Sequence, residues 1–344
     1  MKKQIFIAAF FTLLLLLFGA GTPWAADETP ASFPPLPEAV EALESTCKVT
    51  VKTVIVPEWP DGSNFYYAFA PKNKNPKTGF IFYPGAYVDP RSYAPTMQAI
   101  AAQGYLAVIV KMVGDLAILS PDRANVVINN YPSIETWVIG GHSLGGTMAC
   151  SYAKDFTDKV KGVVQWAAYP SPVFSLRDKD IRVISIFGTD DGLATPAKIE
   201  ESKADLPTDT EFVAIDGGNH TQFGWYDTYP APVQPGDNSP GITRQEQQSR
   251  MISSTVGFLK QFKRICAATS LLGKGNPQLA TMRHIRDTVL AKSSTGRDFI
   301  KCYYQNGEQV SAFFNASPLI KNITKNLLEL IVPALNLLLT SNAL

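Results

Sequence analysis

Histidine and cysteine are scarce in this chain, which has three of the first and four of the second in 344 residues. Cys47, Cys150, Cys266 and Cys302 fall at no metal-ligand spacing with the histidines, so the sequence gives no reason to expect a zinc site. Four thiols in so long a chain are not a disulfide framework either. Cys266 and Cys302 are the expected pair, since both lie in the C-terminal section, and Cys150 reads as a buried helix thiol. Net charge is nearly absent as well: 31 basic against 30 acidic residues leave +1, which excludes a polycationic nucleic-acid binder. Charged residues make up 18% of the chain, below the roughly 25% of ordinary soluble domains, while 45% are hydrophobic. A large core is therefore within reach. No internal repeat interrupts the chain.

Lys2 and Lys3 precede an apolar run from Ile5 to Phe18, and Gly19, Ala20, Gly21, Ala25 and Ala26 follow before Asp27 and Glu28. That order of charged, apolar and small residues is the layout of a secretory signal. The run is shorter than the ~20 residues of a membrane helix. The expectation is a signal peptide over 1–25, a linker over 26–48 and an exported protein, periplasmic or extracellular, with membrane association left open.

Further on, short β-branched and aromatic runs alternate with helical stretches. Strands are expected at 49–56, 65–69, 79–83, 105–110, 136–139, 162–167, 182–187 and 211–215, and helices at 93–103, 123–130, 144–154, 196–203 and 244–262. Strands that are nearly all apolar are buried on both faces, as in a mostly parallel sheet covered by helices. The fold class is α/β. Beyond residue 260 the alternation stops and the charge changes sign: residues 26–260 carry −7 and residues 261–344 carry +6. A helical extension is expected over 263–344. In it Ile323, Leu327, Leu330, Ile331, Ala334, Leu335 and Leu338 form one apolar stripe, read first as docking onto the rest of the protein and second as membrane-surface or partner contact. Pro333 is expected to bend or interrupt that helix.

The chemistry sits where a strand ends in Gly140-Gly141-His142-Ser143-Leu144-Gly145-Gly146. Gly141-x-Ser143-x-Gly145 is a nucleophile elbow: a strand turns into a helix so sharply that side chains flanking the serine would clash. The hydroxyl then stands at a helix N-terminus, where free N–H groups can hold an oxyanion. The glycine spacing does not fit dinucleotide binding.

A serine needs a base, and only His142, His220 and His284 are available. His142 adjoins the serine and leaves the elbow in another direction, while His284 sits among Arg283 and Arg286, which favours the surface. His220 follows the strand at 211–215 in Asp216-Gly217-Gly218-Asn219, a loop from which an imidazole can reach the serine. The strand at 182–187 runs into Gly188-Thr189-Asp190-Asp191-Gly192, and Asp191 is preferred to Asp190 as the orienting acid, with Asp216 third. Tyr83-Pro84-Gly85-Ala86-Tyr87 ends another strand, so the N–H groups of Ala86 and Leu144 are the expected oxyanion hole. Asn219-His220-Thr221 is a formal glycosylation sequon read as accidental, because a glycan there would obstruct the base.

Four stretches in this order, Tyr83-Pro-Gly-Ala-Tyr-Val-Asp-Pro, Gly141-His-Ser-Leu-Gly-Gly, Gly188-Thr-Asp-Asp-Gly and Gly217-Gly-Asn-His, resemble the α/β-hydrolase fold family, and more narrowly its lid-poor, dienelactone-hydrolase-like and esterase members. The resemblance covers about residues 49–262 and implies a Ser143–His220–Asp191 triad. Dienelactone hydrolases carry cysteine where this chain has Ser143. Residues from Cys266 to about Phe314 look like a small C-terminal module of exported bacterial proteins, departing from it where two alanines follow Cys266.

The resulting expectation is a secreted serine hydrolase that cleaves carboxylic esters without metal or organic cofactor. A peptidase or thioesterase would use the same apparatus, and a silent hydrolase fold would act as a binding module. About a dozen residues separate the strands at 162–167 and 182–187, too few for a large lid, so short or exposed acyl groups are expected. Tyr87, Trp166, Tyr169, Trp225 and Tyr226 are candidate pocket residues, and the proline-rich segment 229–240 a candidate rim. The expected partner is a small-molecule ester, with no nucleic acid.

Overall fold

Alternate residues of the central strands point into two different apolar layers, and that single feature generates the architecture. A computed structural model describes residues 32–60, 62–262, 267–273 and 276–341. The expected signal peptide and Cys266 lie outside the described residues. The chain divides into two units, Met1–Phe262 and Lys263–Leu344.

Among its described residues the first unit holds eight strands: β1 (Val49–Ile55), β2 (Phe65–Pro71), β3 (Thr78–Tyr83), β4 (Leu106–Val110), β5 (Thr136–His142), β6 (Val160–Trp166), β7 (Arg182–Gly188) and β8 (Glu211–Ile215). They form one sheet in the order β1-β2-β4-β3-β5-β6-β7-β8. The pairings β1·β2 and β2·β4 are antiparallel and all later ones parallel. Every residue of β3, β4 and β5 is buried.

Its helices are α1 (Pro37–Glu41), α2 (Ala94–Ala102), α3 (Ala124–Asn130), α4 (Leu144–Asp155), α5 (Pro196–Ser202) and α6 (Arg244–Lys260). Phe80, Phe82, Val138 and Val164 join Met97 of α2 and Phe258 of α6 in one layer. Their neighbours Ile81, Tyr83, Ile139 and Val163 join Val127 of α3 and Met148 of α4 in the other. The period-2 alternation thus feeds two cores, one on each face. Helix starts follow local chemistry: Thr195 and Thr243 accept hydrogen bonds from the Lys198 and Glu246 amides, and Pro196 occupies the first turn of α5.

The segment expected as a linker is packed in place. Phe33 N–H donates to Tyr87 O at 2.6 Å, Leu36 N–H to Trp225 O at 2.9 Å, and α1 buries Ala39. Phe33 and Ala42 supply the apolar surface that draws it onto the core.

The second unit is helical among its described residues: α7 (Ala267–Leu272), α8 (Gln278–Thr288), α9 (Ser294–Gln305), α10 (Gly307–Ala316) and α11 (Pro318–Ser341). A small core joins Ala268, Leu272 and Leu279 with Met282 and Leu328. One expectation changes here: helix α11 continues through Pro333. Within this unit α11 turns Leu328 onto the small core and buries Val332, while Ile323, Leu327, Leu330 and Ile331 of the apolar stripe lie off that core. Cys47, Cys150 and Cys302 are free thiols. Among the described residues no helix is long and apolar enough to cross a membrane.

Candidate active site

Three loops at the carboxyl ends of β5, β7 and β8 bring Ser143, Asp191 and His220 to one end of the sheet. Ser143 joins β5 to α4 in left-handed backbone, φ 51° and ψ −124°. Its neighbours must be glycine: a Cβ on Gly141 would lie 2.3 Å from the Gly145 carbonyl carbon, and one on Gly145 would lie 2.1 Å from Tyr83 O. The strain of the turn is held by packing on every side. Helix α4 opens on the Ser143 carbonyl, which accepts from the Gly146 and Thr147 amides. Among the described residues neither the Leu144 nor the Ala86 amide donates to a protein group, and both residues line the cavity beside Ser143.

His220 Nδ1 lies 2.9 Å from Asp191 Oδ2, with both side chains buried. The other oxygen, Asp191 Oδ1, accepts from the amides of Leu193 at 2.8 Å and Ala194 at 2.7 Å. These bonds hold the carboxylate and present its remaining oxygen to the ring. Asp190 instead accepts a long 3.4 Å hydrogen bond from Thr189 Oγ1, and Asp216 is exposed. Burial disfavours a charged His220, but the Asp191 charge and hydrogen bond outweigh it and raise the ring above its ordinary 6.5. His220 Nε2 is buried without a protein partner and belongs to the same cavity wall as Ser143. The serine–histidine hydrogen bond is not formed in this state; such bonds commonly tighten only with substrate bound.

His142 is fully buried beside His220, ring centroids 4.5 Å apart. The Gly85 amide donates to Tyr93 Oη at 3.1 Å, and Tyr93 Oη in turn lies 2.9 Å from His142 Nδ1. Burial, then repulsion from His220, hold His142 well below 6.5, so it stays neutral beside the His220 ring. His142 therefore ties the elbow to the Gly85-Ala86 turn. His284 belongs to α8, in the other unit.

The cavity has a volume of about 470 Å³. Leu144, Thr147, Ala167, Ala168, Leu193 and Ala194 supply much of its wall, and Tyr169, Pro170 and Pro172 of the β6–β7 crossover complete one side. Of the aromatic candidates only Tyr169 reaches it. Trp166 is turned by strand alternation into the core, where its ring lies 4.5 Å from that of Phe82 and its N–H donates to Thr255. Trp225 faces a separate groove between α2 and α6, below the Arg244 guanidinium. Tyr87 binds the N-terminal segment through its backbone carbonyl and lines no part of the cavity. Tyr226 is buried, donating to Gln234. Asn219 of the sequon is also fully buried, bracketed through its backbone by Gln247.

Residues 79–249 match the model of the alpha/beta hydrolase family. With the strand order and the elbow, that match decides the family. The sheet-bearing unit belongs to the α/β hydrolases. The chain is 27% identical over 177 residues to a pimeloyl-[acyl-carrier protein] methyl ester esterase of Shewanella oneidensis, a match covering 49% of this chain and 65% of that protein. The chain thus spans somewhat under two thirds of the relative's length. Among solved structures, a dienelactone hydrolase of Anabaena variabilis matches at 14% identity and TM-score 0.45, covering 62% of this chain and 98% of that one. The esterase domain of a Rhodothermus marinus protein matches at 11% identity and TM-score 0.45, with 62% and 98% covered.

Three residues that motif reading passed over hold this site together: Tyr93, Gln247 and Asp237. None carries a spacing signal, since each acts through a contact made only on folding. Asp237 lies in the segment expected as a rim, of which Gln234 reaches the cavity.

Proposed function

We propose that the hydrolase unit cleaves carboxylic esters through an acyl-enzyme, with Ser143 as nucleophile, His220 as base and Asp191 as the acid that orients the ring. The observation that carries this reading is the buried His220–Asp191 bond at 2.9 Å, with an unpartnered Nε2 on the wall that also holds Ser143. In the proposed sequence, His220 Nε2 takes the Ser143 proton as Oγ attacks the acyl carbon. The Ala86 and Leu144 amides hold the oxyanion, and Asp191 stabilises the imidazolium. His220 then protonates the departing alkoxide, and water, deprotonated by the same ring, releases the acid and restores Ser143. The mostly apolar cavity and short crossover favour short acyl groups. The leader-like 1–25 segment supports export, and the exposed apolar face of α11 supports contact with a membrane surface or a partner through the second unit.

A fluorophosphonate probe, followed by p-nitrophenyl esters of rising chain length, tests the reading. Labelling of the wild type, its loss in Ser143→Ala and a fall in kcat of ~10⁶ are expected. Persistent labelling in Ser143→Ala refutes the nucleophile, preference for long aggregated lipids refutes the short-acyl assignment, and amide or thioester turnover without ester turnover refutes the substrate class.

A further inference from the structure

We propose that Asp237 is a positioning residue for the base: its carboxylate locks the backbone carrying His220 to the backbone carrying Asp191 and sets a second negative charge behind the ring. The proposal rests on the reading of His220 as general base. It begins from an accounting of donors. Asp237 Oδ1 accepts from the amides of Gly192 at 3.1 Å, His220 at 3.2 Å and Asn238 at 2.9 Å. Its Oδ2 accepts from the Thr221 amide at 2.8 Å and the Thr221 hydroxyl at 2.7 Å. Gly192 directly follows Asp191, and Thr221 directly follows His220. One side chain therefore grips both loops of the acid–base pair, at the His220 amide itself and at the residues that follow Asp191 and His220.

Only an ionised carboxylate meets all five donors. A neutral amide would turn an N–H₂ group toward one set of them. Charge-assisted bonds are also the strong class, and among the described residues no lysine or arginine forms an ion pair with Asp237. The surrounding loop is built around this contact. A Cβ on Gly192 would lie 2.5 Å from Gly236 O and 3.0 Å from Asp237 Cα, so only glycine permits the approach. Thr221 Oγ1 passes the restraint on by accepting from the Gln234 amide at 2.9 Å, and Asn219 Nδ2 donates to Asn238 O at 2.8 Å.

The electrostatic side follows from the same placement. The charged and titratable groups facing His220 are Asp191 on the acid loop, Asp237 on the loop after β8, Lys198 on α5 and His142 on β5. Asp191 and Asp237 favour the imidazolium, whereas Lys198 opposes it. A residue acting only as a loop staple would lower the rate and leave the pH profile in place. A residue acting also through charge moves the profile.

The experiment compares pH profiles of kcat/KM, or of fluorophosphonate labelling rate, for the full-length wild type and four variants. Asp237→Asn is expected to lower kcat/KM roughly 10- to 10²-fold, with KM changed less than about twofold, and to move the acid limb to lower pH. Asp237→Ala loses more activity with the same displacement of the limb. Thr221→Val removes a donor while keeping the charge, so it lowers the rate and leaves the limb where it was. Asp209→Asn, at an exposed site, changes neither. Asp237→Ala within about twofold of wild type, or Asp237→Asn slowed with an unmoved limb, overturns the proposal. If Asp237→Ala does not fold, the limb of Asp237→Asn decides. A wild type that takes no label, or label that survives Ser143→Ala, sinks the serine reading instead; normal labelling with unresponsive Asp237 variants sinks this proposal alone.

Discussion

The two units bury their apolar residues in different ways. In the hydrolase unit β3, β4 and β5 are covered on both faces, and each strand alternation is matched by a helix on one side or the other. In the C-terminal unit the buried cluster rests on Ala268, Leu272 and Leu279, while α11 leaves Leu319 at 73% and Leu330 at 74% exposure. A strand between two layers has no choice about which residues go inside. A helix packed along one side does, and the period of its apolar residues does not say which of two apolar faces its neighbours take.

The contrast predicts that effects on chemistry concentrate in a few residues of the hydrolase unit and fade away from them. Asp191→Asn should lower kcat about 10⁴-fold, as expected where the orienting acid loses its charge, while Asp190→Asn leaves it within about threefold; a reversed ranking in steady-state assays would reassign the acid. Gly145→Ala comes next: its Cβ would strike the Tyr83 carbonyl, and a loss of about 3 kcal/mol or more is expected by denaturant unfolding.

The pH dependence has a defined sign. On the proposed mechanism the base works unprotonated, and Asp191 raises His220 above 6.5, so kcat/KM should fall as pH drops through a limb above 6.5. In Asp191→Asn that limb should move below the wild-type position. For stability, the raised His220 contributes fully below pH 6.5 and loses its contribution as pH rises through the folded value. The depressed His142 contributes above 6.5 and loses it as pH falls.

The smallest effects belong to the second unit. Val332→Ala, at a buried position, should cost about 1 kcal/mol, and Leu330→Ala, at an exposed one, under about 0.5 kcal/mol, both read from thermal unfolding. Neither should change ester turnover. A larger cost at Leu330 than at Val332 would show that the outward face of α11 is covered after all.

Legibility in the sequence followed the same division. All eight strands and the five helices expected before residue 262 are present, with ends differing by a few residues. The elbow was readable because its glycines answer a backbone clash that any side chain would create. Four of the five aromatic candidates were not: Trp166 lies one residue after Gln165 and one before Ala167, and only sheet register decides that its indole meets Phe82 rather than the cavity.

By itself, the sequence determined the alternation that builds the sheet, the turn that strains Ser143, and the short list of histidines and acids from which a base and its partner come. Tertiary structure alone decided that Asp191, and not its neighbour, has two amides to hold one oxygen while the other meets His220. It also decided that Tyr93 and Asp237 close the site from behind. Local spacing encodes what a backbone can do within a few residues; hydrogen bonds between loops far apart in the chain exist only once the sheet has brought those loops together.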